Sequence, residues 1–458
     1  MKIRNICCIG AGYVGGPTMA VIALKCPEIR INIVDINEKK INQWNSKNLD
    51  ELPVFEPGLS EIISEVRDKN LFFRTDVEEC IDNADMVFMA VNTPTKTEGE
   101  GKGMAADLKY IESCARTIAK VSKTDKIVVE KSTLPVRTAE KIIDILNENE
   151  NVSFQVISNP EFLAEGTAIK DLFKSDRVLI GGEKSKEGEI AVNSLSEIYE
   201  RWIPKNKILK LNIWSSELSK LVSNAMLAQR ISSINSISSI CEKTGADIDE
   251  VALAVGMDSR IGPSFLKASI GFGGSCFKKD ILNLVYMLKY YNLEKEANYW
   301  EGVIDINSHQ TERFSRKIIE SLANYKNKTI SIFGWAFKKD TNDSRESASI
   351  YLTKILLEHN IKIHIYDPMV SKDRVLDDLI QQGVNINDSM LNFFNSPDDA
   401  LRLSSGVAIC TEWDEFREYD WKSIYRLMDN NPLIFDGRNI LNVDKLKEYG
   451  FNIYSIGK

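Results

Sequence analysis

The stretch Gly10-Ala11-Gly12-Tyr13-Val14-Gly15 follows the apolar run Ile3–Ile9 and precedes a helical pattern. In this GxGxxG spacing the first glycine permits a tight turn, the second lets backbone approach a pyrophosphate, and the third lets the helix pack close to the sheet. Asp35 ends the next predicted strand, where its carboxylate would accept ribose hydroxyls and repel a 2′-phosphate. The pattern predicts a dinucleotide site that favours NAD over NADP; the alternative is that Asp35 merely caps a helix.

The first third of the chain alternates buried apolar runs with amphipathic stretches. After Ile3–Ile9, the predicted strands are Ile31–Val34, Met86–Val91, Ile127–Val129 and Phe154–Ile157. Strands that alternate with helical segments are typical of a doubly wound parallel sheet. The sequence therefore predicts an α/β domain around the glycine motif.

A second α/β unit follows a helical middle section. A long helix without Gly or Pro is predicted over about Ser215–Cys241, ended by Gly245, and helical patterns continue to about Tyr325. Two further strands, Thr329–Phe333 and Ile361–Tyr366, end in Gly334 and Asp367, without the full glycine pattern. We predict two Rossmann-like doubly wound domains joined by a long central helix and a helical middle domain, with limits at 1–212, 213–325 and 326–458. The second Rossmann-like domain should be the poorer dinucleotide site.

Composition excludes several classes of function. The 458 residues carry a net charge of −8 with a pI near 5.3, which argues against a nucleic acid or an anionic membrane as the main partner. Eight scattered cysteines without CxxC spacing indicate reduced thiols, and three histidines are too few to suggest a metal site. No export signal and no membrane-spanning run is recognised. We expect a soluble cytoplasmic protein.

A glycine-rich loop, Gly271–Ser275, delivers Cys276 to a predicted helix start. The helix dipole and free N–H groups there would favour a thiolate, and Asp280 would share a helical face with the cysteine. Lys220 and Asn224 form another i, i+4 pair on the long helix. From spacing alone, a buried structural cysteine and a solvated lysine remain the alternatives.

At these residues the chain resembles the UDP-glucose/GDP-mannose dehydrogenase family, specifically its animal-type UDP-glucose 6-dehydrogenase branch. The resemblance spans nearly the whole length and rests on these motifs: GAGYVGGPT from Gly10, VNTPTKT from Val91, EKSTLPVR from Glu130, SNPEFLAEGTAIKDL from Ser158, WSSELSKL from Trp214, AQRISSINSIS from Ala228, FLKASIGFGGSCFKKD from Phe265, AFKKDTNDSRES from Ala336, IYDP from Ile365, ICTEWDEF from Ile409 and FDGRN from Phe435.

The resemblance implies a four-electron oxidation of the sugar C6 alcohol of UDP-glucose to UDP-glucuronate, with two NAD reduced in succession. Cys276 matches the nucleophile that forms a thiohemiacetal and then a thioester, and Glu161 matches the carboxylate that activates water. Lys220 and Asp280 match the pair that handles the alcohol proton. Asn224 and Thr133 match polar groups around an ordered water. Which group takes the first proton stays open.

The resemblance also implies the binding residues. The NAD contacts would be Gly10, Gly12, Tyr13, Val14, Gly15, Asp35, Lys40, Val91, Asn92, Thr93, Pro94, Thr95, Ser132, Thr133, Glu165, Cys276, Lys279 and Arg345. The UDP-glucose contacts would be Glu161, Phe162, Leu163, Lys220, Asn224, Arg260, Phe265, Lys267, Phe272, Gly273, Phe337, Lys338 and Arg438. Arg260 matches a residue supplied to the neighbouring subunit's site, which implies a homodimer. Whether three dimers form a hexamer stays open.

Other functions remain to be weighed. A dehydrogenase for GDP-mannose or UDP-N-acetylmannosamine would share the cofactor motif, the glutamate, the lysine and the cysteine. A two-electron dehydrogenase of the 6-phosphogluconate or hydroxyacid type would not need Cys276. A non-catalytic nucleotide-sugar sensor should have lost reacting groups that this chain retains. The substrate-loop motifs favour UDP-glucose.

Overall fold

The strand before the glycine motif lies inside an eight-stranded sheet. The computed structural model describes residues 2–387, 389–429 and 431–458. It divides into two units, Met1–Ser223 and Asn224–Lys458. The strands of the first unit are β1 (Asn5–Ile9), β2 (Arg30–Val34), β3 (Leu71–Arg74), β4 (Met86–Met89), β5 (Lys126–Glu130), β6 (Phe154–Ser158), β7 (Val178–Gly182) and β8 (Ile208–Asn212).

These strands are ordered β3-β2-β1-β4-β5-β6-β7-β8, and every neighbouring pair is parallel except β6 with β7. The order of the first six is that of dinucleotide-binding sheets. Ile6 and Cys8 of β1 belong to one hydrophobic cluster, and Cys7 and Ile9 belong to another. Because successive side chains point to opposite faces, both faces of this sheet are covered.

The helices of the first unit connect these strands. They are α1 (Gly15–Lys25), α2 (Glu38–Trp44), α3 (Leu59–Val66), α4 (Val77–Asp82), α5 (Lys109–Val121), α6 (Thr138–Leu146), α7 (Ala168–Phe173) and α8 (Lys186–Tyr199). Short 3₁₀ turns cover Leu49–Glu51 and Lys205–Lys207. The predicted long helix is α9 (Ile213–Thr244), which is slightly longer than expected and contains the boundary between the units.

The second unit contains a helical section and a six-stranded parallel sheet. Its strands are β9 (Thr329–Phe333), β10 (Lys362–Tyr366), β11 (Leu391–Phe393), β12 (Gly406–Ile409), β13 (Leu433–Asp436) and β14 (Asn452–Ser455). Their order, β11-β10-β9-β12-β13-β14, repeats that of the first six strands. The helices are α10 (Ile248–Gly256), α11 (Phe277–Tyr290), α12 (Glu294–Ser321), α13 (Ala348–Glu358), α14 (Lys372–Gln381), α15 (Pro397–Leu401), α16 (Glu415–Glu418), α17 (Trp421–Leu427) and α18 (Val443–Glu448).

The predicted fold class is confirmed: two Rossmann-like sheets accompany a helical middle section. The predicted strand Thr329–Phe333 has the observed limits, and the predicted strand from Met86 ends earlier, at Met89. The domain limits at 212 and 325 stay predictions. Within the described residues, no helix combines the length and apolar character that crossing a bilayer requires.

The turn after β9 is held by a carboxylate from the next strand, and the prediction that the second sheet is the poorer dinucleotide site stays a prediction. Asp367, at the end of β10, accepts hydrogen bonds from the backbone N–H groups of Trp335 (2.6 Å) and Ala336 (3.0 Å). The Trp335 side chain is fully buried, and its Nε1 donates to Asp378 at 3.0 Å. The backbone that follows Gly334 is thus tied to Asp367, and the Trp335 indole belongs to the hydrophobic core of this unit.

Candidate active site

The glycine turn after β1 is shaped by close backbone approaches. Gly10 has a φ of +109°, and a Cβ there would lie 2.3 Å from the carbonyl oxygen of Ala90. A Cβ on Gly15 would lie 2.0 Å from the carbonyl oxygen of Gly10. A Cβ on Gly12, in contrast, would meet nothing within 4 Å. The first and third glycines are therefore required by the fold, whereas the second leaves open space at the backbone, as a pyrophosphate requires.

Asp35 faces this turn. Its carboxylate accepts hydrogen bonds from the backbone N–H of Ala11 (3.1 Å) and of Asn37 (3.0 Å), and Lys40 Nζ lies 2.8 Å from Oδ2. Burial opposes ionisation, but the hydrogen bonds from Lys40 and the two backbone groups outweigh it and lower the pKa of Asp35. The carboxylate is therefore ionised at neutral pH, as the NAD hypothesis requires.

Trp44 contacts the glycine turn after β1 and supports its backbone, a role that the sequence did not predict. Its Nε1 donates to the carbonyl of Ala11 at 3.0 Å, and its ring stacks on Phe73 with centroids 4.7 Å apart. A Cβ on Gly16 would come within 2.4 Å of the indole. Gly16 was the sequence signal for this contact, because a glycine next to the third motif glycine indicates that a bulky side chain packs against the helix start.

The loops after β4 and β5 are joined by hydrogen bonds. Met89 and Glu130 are register partners at the ends of these parallel strands. Beyond them, Ser132 Oγ donates to the carbonyl of Val91 at 2.6 Å, and Thr93 Oγ1 donates to that of Thr133 at 3.0 Å. These bonds hold two predicted NAD-contacting segments, 91–95 and 132–133, at the edge where ligands of parallel sheets bind.

Glu161 and Lys220 form a buried ion pair. Lys220 Nζ lies 3.1 Å from Glu161 Oε1, with the two side chains 5% and 10% exposed. The other carboxylate oxygen accepts a hydrogen bond from Leu163 N–H at 2.6 Å, and Lys220 Nζ lies 5.3 Å from the Phe162 ring. The structure therefore brings together four residues of the predicted substrate set.

A buried polar network supports this segment, and the sequence reasoning missed it as well. Asn159 Nδ2 donates to the carbonyl of Leu179 at 2.7 Å, and its Oδ1 accepts from Lys131 Nζ (3.0 Å) and Tyr199 Oη (2.8 Å). Because Lys131 precedes Ser132 and Asn159 precedes Glu161 by two residues, the network connects the 132–133 loop with the Glu161 segment.

Cys276 occupies the N-cap position of α11 and is exposed, whereas the other cysteines are buried or partly buried. The preceding loop has φ values of +132° at Gly271 and +87° at Gly274, which favour glycine. Asn307 fixes the loop by accepting from Phe272 N–H (2.8 Å) and donating back to its carbonyl (3.1 Å). A helix N-terminus favours the thiolate form of a cysteine.

Asp280 lies one turn further along α11 and is 1% exposed. Its backbone N–H donates to the Cys276 carbonyl at 2.8 Å, and its Oδ2 accepts a hydrogen bond from Asn224 Nδ2 at 2.6 Å. Lys279, on the same first turn, is partly buried. Within the second unit, the structure thus joins the predicted catalytic residues of α9 and α11.

The loop after β9 packs on the cysteine loop. The Gly274 N–H donates to the Arg345 carbonyl at 2.8 Å, and a Cβ on Gly274 would lie 3.0 Å from the Phe337 ring. Arg438 Nη2 donates to the Phe337 carbonyl at 2.9 Å, and Lys338 Nζ lies 5.7 Å from the Phe337 ring centroid. The C-terminal residues of the predicted site are therefore adjacent to the loop that carries Cys276.

The segment from Arg260 to Lys267 lies at the surface. Arg260 is 86% exposed and pairs with Asp258 at 2.6 Å. Phe265 has a φ of +62°, a strained value for an aromatic residue, and Lys267 is exposed. Arg230, which the sequence reasoning missed, donates to the carbonyls of Ile261 (2.9 Å), Gly262 (2.7 Å) and Ser264 (2.8 Å). It fixes the backbone of this segment.

Each unit gathers its own part of the predicted site. The first unit groups Gly10–Gly15, Asp35, Lys40, segments 91–95 and 132–133, and the Glu161–Lys220 pair; the partly buried Glu165 follows Glu161. The second unit groups Asn224, Asp280, Cys276, Phe272, Gly273, Phe337, Arg345 and Arg438. Each group combines an ionised or nucleophilic side chain with a glycine turn, an arrangement suited to a phosphate-bearing ligand and covalent chemistry.

Comparison with known proteins assigns nearly the whole chain to one enzyme family. Sequence models of the UDP-glucose/GDP-mannose dehydrogenase family match its NAD binding domain at residues 4–203, its central domain at 214–309 and its UDP binding domain at 331–443. The UDP-glucose 6-dehydrogenase of Drosophila melanogaster is 56% identical over 461 residues, which cover 99% of this chain and 96% of that protein.

Two further relatives agree. UDP-glucose 6-dehydrogenase 2 of Arabidopsis thaliana is 53% identical, over 99% of this chain and 97% of that protein. The solved structure of a UDP-glucose dehydrogenase from Pyrobaculum islandicum superposes with a TM-score of 0.84 at 28% identity, over 99% of this chain and 98% of that one. The predicted resemblance is therefore confirmed, and the chain belongs to the UDP-glucose/GDP-mannose dehydrogenase family.

Proposed function

We propose that this chain catalyses the NAD-dependent oxidation of UDP-glucose to UDP-glucuronate. Full-length relatives at 53–56% identity carry the name of that activity. The observation that carries the four-electron reaction is the exposed Cys276 at the start of α11, one turn from buried Asp280. A two-electron dehydrogenase would not need this thiol, so its placement favours oxidation beyond the aldehyde.

The first unit suits NAD. Gly12 leaves open space beside the turn, the N-terminus of α1 follows the turn at Gly15, and ionised Asp35 lies next to the turn, where a ribose diol could bind. Bound NAD would supply the hydride acceptor for both oxidations of sugar carbon 6. The 132–133 loop would bind and orient the reacting end of the cofactor.

The chain's own groups account for the remaining chemistry. The first oxidation turns the C6 alcohol into an aldehyde, and its hydroxyl proton would pass to Lys220 or Asp280, the residues to which the family resemblance assigns this proton. The resemblance also assigns Asn224 and Thr133 to an ordered water. Cys276 Sγ then adds to the aldehyde carbon and forms a thiohemiacetal. The second oxidation removes the carbon-bound hydride and the hydroxyl proton of this adduct and leaves a thioester, and the hydride would go to a second bound NAD.

Hydrolysis completes the reaction. Glu161 accepts a proton from water, the resulting hydroxide attacks the thioester carbonyl, and the C–S bond breaks to release the acid and regenerate the Cys276 thiol. The buried cation of Lys220, 3.1 Å from Glu161, stabilises the oxyanion that develops on the attacked carbonyl. Burial strengthens this effect because little water screens it.

We propose a homodimer as the working unit. Large apolar side chains on α9, on α10 and directly after α10 are exposed in the single chain, including Met226, Ile240, Leu253 and Met257. Such a surface is typical of a protein interface. Arg260, on the segment after α10, would then reach the partner's diphosphate. A cytoplasmic location is proposed because none of the eight cysteines, all of them within the described residues, forms a disulfide.

A rate comparison tests the substrate. UDP-glucose, GDP-mannose and UDP-N-acetylmannosamine would be incubated with enzyme and NAD, and NADH and acid product would be quantified. We expect UDP-glucose to have the highest kcat/KM and to yield two NADH for each acid formed. A higher kcat/KM for another nucleotide-sugar would overturn the substrate, and accumulation of free aldehyde would overturn the four-electron reaction.

A further inference from the structure

Two buried carboxyl groups in the first unit have no part in the chemistry above. Glu130 is the last residue of β5 and is 1% exposed. Glu217 lies on the first turns of α9 and is 3% exposed. Ionised carboxylates are rarely buried to this extent without a cation or several donors, so the arrangement requires an explanation.

Glu217 has two good donors. Its Oε2 accepts the backbone N–H of Arg137 at 2.7 Å, and its Oε1 accepts that of Ala139 at 2.9 Å. These groups belong to the start of α6, where Arg137 has a φ of +73°. Glu217 therefore caps α6 from a helix 80 residues away in sequence. Both the N–H groups and the helix dipole favour a carboxylate at this position.

Glu130 lacks such donors. Among the described residues, no donor reaches either of its carboxyl oxygens, and its ionisable neighbour is Glu217. Two adjacent buried carboxylates would repel each other strongly. A single proton on Glu130 would remove this repulsion, because the acid could then donate a hydrogen bond to the Glu217 carboxylate.

The electrostatics support this assignment. Burial and the neighbouring Glu217 raise the pKa of Glu130 well above its ordinary value. Burial raises the pKa of Glu217 to about 7, although its hydrogen bonds oppose the change. Glu140 of α6 also repels Glu217, while the Arg137 guanidinium is held by Glu140 at 2.8 Å. Lys131, beside Glu130 in sequence, donates to Asn159 and Tyr199.

We propose that Glu130 and Glu217 are positioning residues that share one proton and thereby hold the end of β5, the start of α6 and the first turns of α9 together. Ser132 and Thr133 lie on the loop between β5 and α6, and Lys220 follows Glu217 by three residues. The catalytic consequence of the shared proton rests on the proposed function. The proton would keep Thr133 and the Glu161–Lys220 pair in place. Loss of this proton at alkaline pH would set two buried charges against each other and loosen the loop.

The first test does not depend on activity. An acid whose pKa is raised by folding binds more protons in the folded state, so stability falls as the pH rises from its ordinary pKa through the raised one. Glu130→Gln removes that titration while its amide still donates to Glu217. The Tm of the wild-type protein minus that of the variant should therefore decrease as the pH rises from about 5 to about 9. Exposed Glu148→Gln is the matched control, with a difference that stays flat. A flat difference for Glu130→Gln as well would overturn the shared proton.

A second measurement needs no variant. Infrared spectra of the wild-type protein, titrated in deuterated buffer, should retain a protonated-carboxyl band at neutral pH, where exposed glutamates are ionised. Absence of that band would overturn the shared proton even if Glu130→Gln did not fold.

The catalytic consequence has its own readout. Wild-type kcat should decline at alkaline pH, and Glu130→Gln should retain kcat to about one pH unit higher, with the KM for UDP-glucose unchanged within about threefold. An unchanged alkaline limb would overturn the positioning role. Failure of the wild-type protein to oxidise UDP-glucose would instead overturn the proposed function, and the Tm and infrared results would stand apart from it.

Discussion

Asp35 and Lys40 occupy the place where a dehydrogenase distinguishes its two dinucleotide cofactors. The carboxylate that should repel a 2′-phosphate already pairs with a cation at 2.8 Å. The ionised Asp35 still presents hydrogen-bond acceptors to the ribose diol of NAD. The wild-type protein should use NADP poorly because the same charge repels a 2′-phosphate. The cation, however, is close enough to serve a phosphate once the acid is removed.

Asp35→Asn should therefore raise the kcat/KM ratio of NADP to NAD by about tenfold or more, since the repulsive charge is lost and Lys40 becomes available to the 2′-phosphate. Steady-state kinetics with both cofactors measure the ratio. The double variant Asp35→Asn, Lys40→Met is the control and should lose the gain in NADP use. An unchanged ratio in the single variant would show that Asp35 does not face the ribose.

Glu161 provides a test of the covalent route. Glu161→Gln keeps the shape of the side chain but cannot accept a proton at neutral pH, so both oxidations should proceed and hydrolysis should slow by roughly 10²–10⁴-fold. Excess UDP-glucose and NAD should give a burst of about two NADH per site, followed by a slow rate.

Intact-protein mass spectrometry should then detect one UDP-glucuronyl adduct that maps to the Cys276 peptide. The adduct should be absent from the double variant Glu161→Gln, Cys276→Ala. Normal acid release by Glu161→Gln would contradict the role of Glu161, and an adduct on another residue would contradict that of Cys276.

Residues of the predicted site itself were easier to foresee than the residues that support their positions. The glycine spacing predicted the turn, and the motif around Cys276 predicted a cysteine at a helix start. Trp44, Arg230 and the Glu130–Glu217 pair were not predicted, because their roles depend on contacts between segments far apart in sequence. A buried acid and a solvated one look alike in a single sequence.

At the scale of elements, Glu56 shows how one side chain can position a functional segment. It is buried and accepts the backbone N–H groups of Gly166 (2.8 Å) and Ala168 (3.0 Å), at the start of α7. The loop before α7 carries Glu161 and Glu165. Capping by a distant carboxylate therefore fixes one end of the segment that contains the proposed water-activating residue.

Glu56→Ala should lower the free energy of unfolding by about 2–3 kcal/mol, because two N–H groups lose a charged acceptor in a buried place. Urea unfolding monitored by circular dichroism measures the loss. Glu51→Ala, in a surface 3₁₀ turn, is the matched control and should change the value by less than about 0.5 kcal/mol. Equal losses in both variants would argue against the capping role.

The strands show what periodicity can predict. Runs rich in Val and Ile gave β1, β2, β4, β5, β6, β9 and β10 within one or two residues of their limits, because both faces of a parallel sheet are buried. The antiparallel pairing of β6 with β7 could not be foreseen, since strand direction depends on the path of the connection between them. Short β11 has too few residues to show a pattern.

At the scale of the whole molecule, the proposed dimer makes a distinct prediction about mixed subunits. Arg260→Ala should weaken UDP-glucose binding at every site, since each site would lack its borrowed cation. Cys276→Ala should abolish acid formation. Mixing the two inactive or impaired proteins under subunit exchange should restore activity, because one site in each mixed dimer then has both residues intact.

Mass spectrometry of the mixture would establish that exchange has taken place. The matched control is a mixture of Arg260→Ala with the Arg260→Ala, Cys276→Ala double variant, in which no site can be complete. If mixed dimers form and activity does not exceed that of this control, Arg260 does not act across the interface.

The burial of the other cysteines has a practical consequence for Cys276. Burial raises the pKa of Cys8 and Cys410 to about 12 and that of Cys114 to about 11, so these thiols hold little thiolate at neutral pH. Cys276 is exposed at a helix start, where alkylating reagents can reach it. Limiting fluorescent iodoacetamide at neutral pH should therefore label this position selectively. The bound dye would count the intact active sites of a preparation without any turnover measurement.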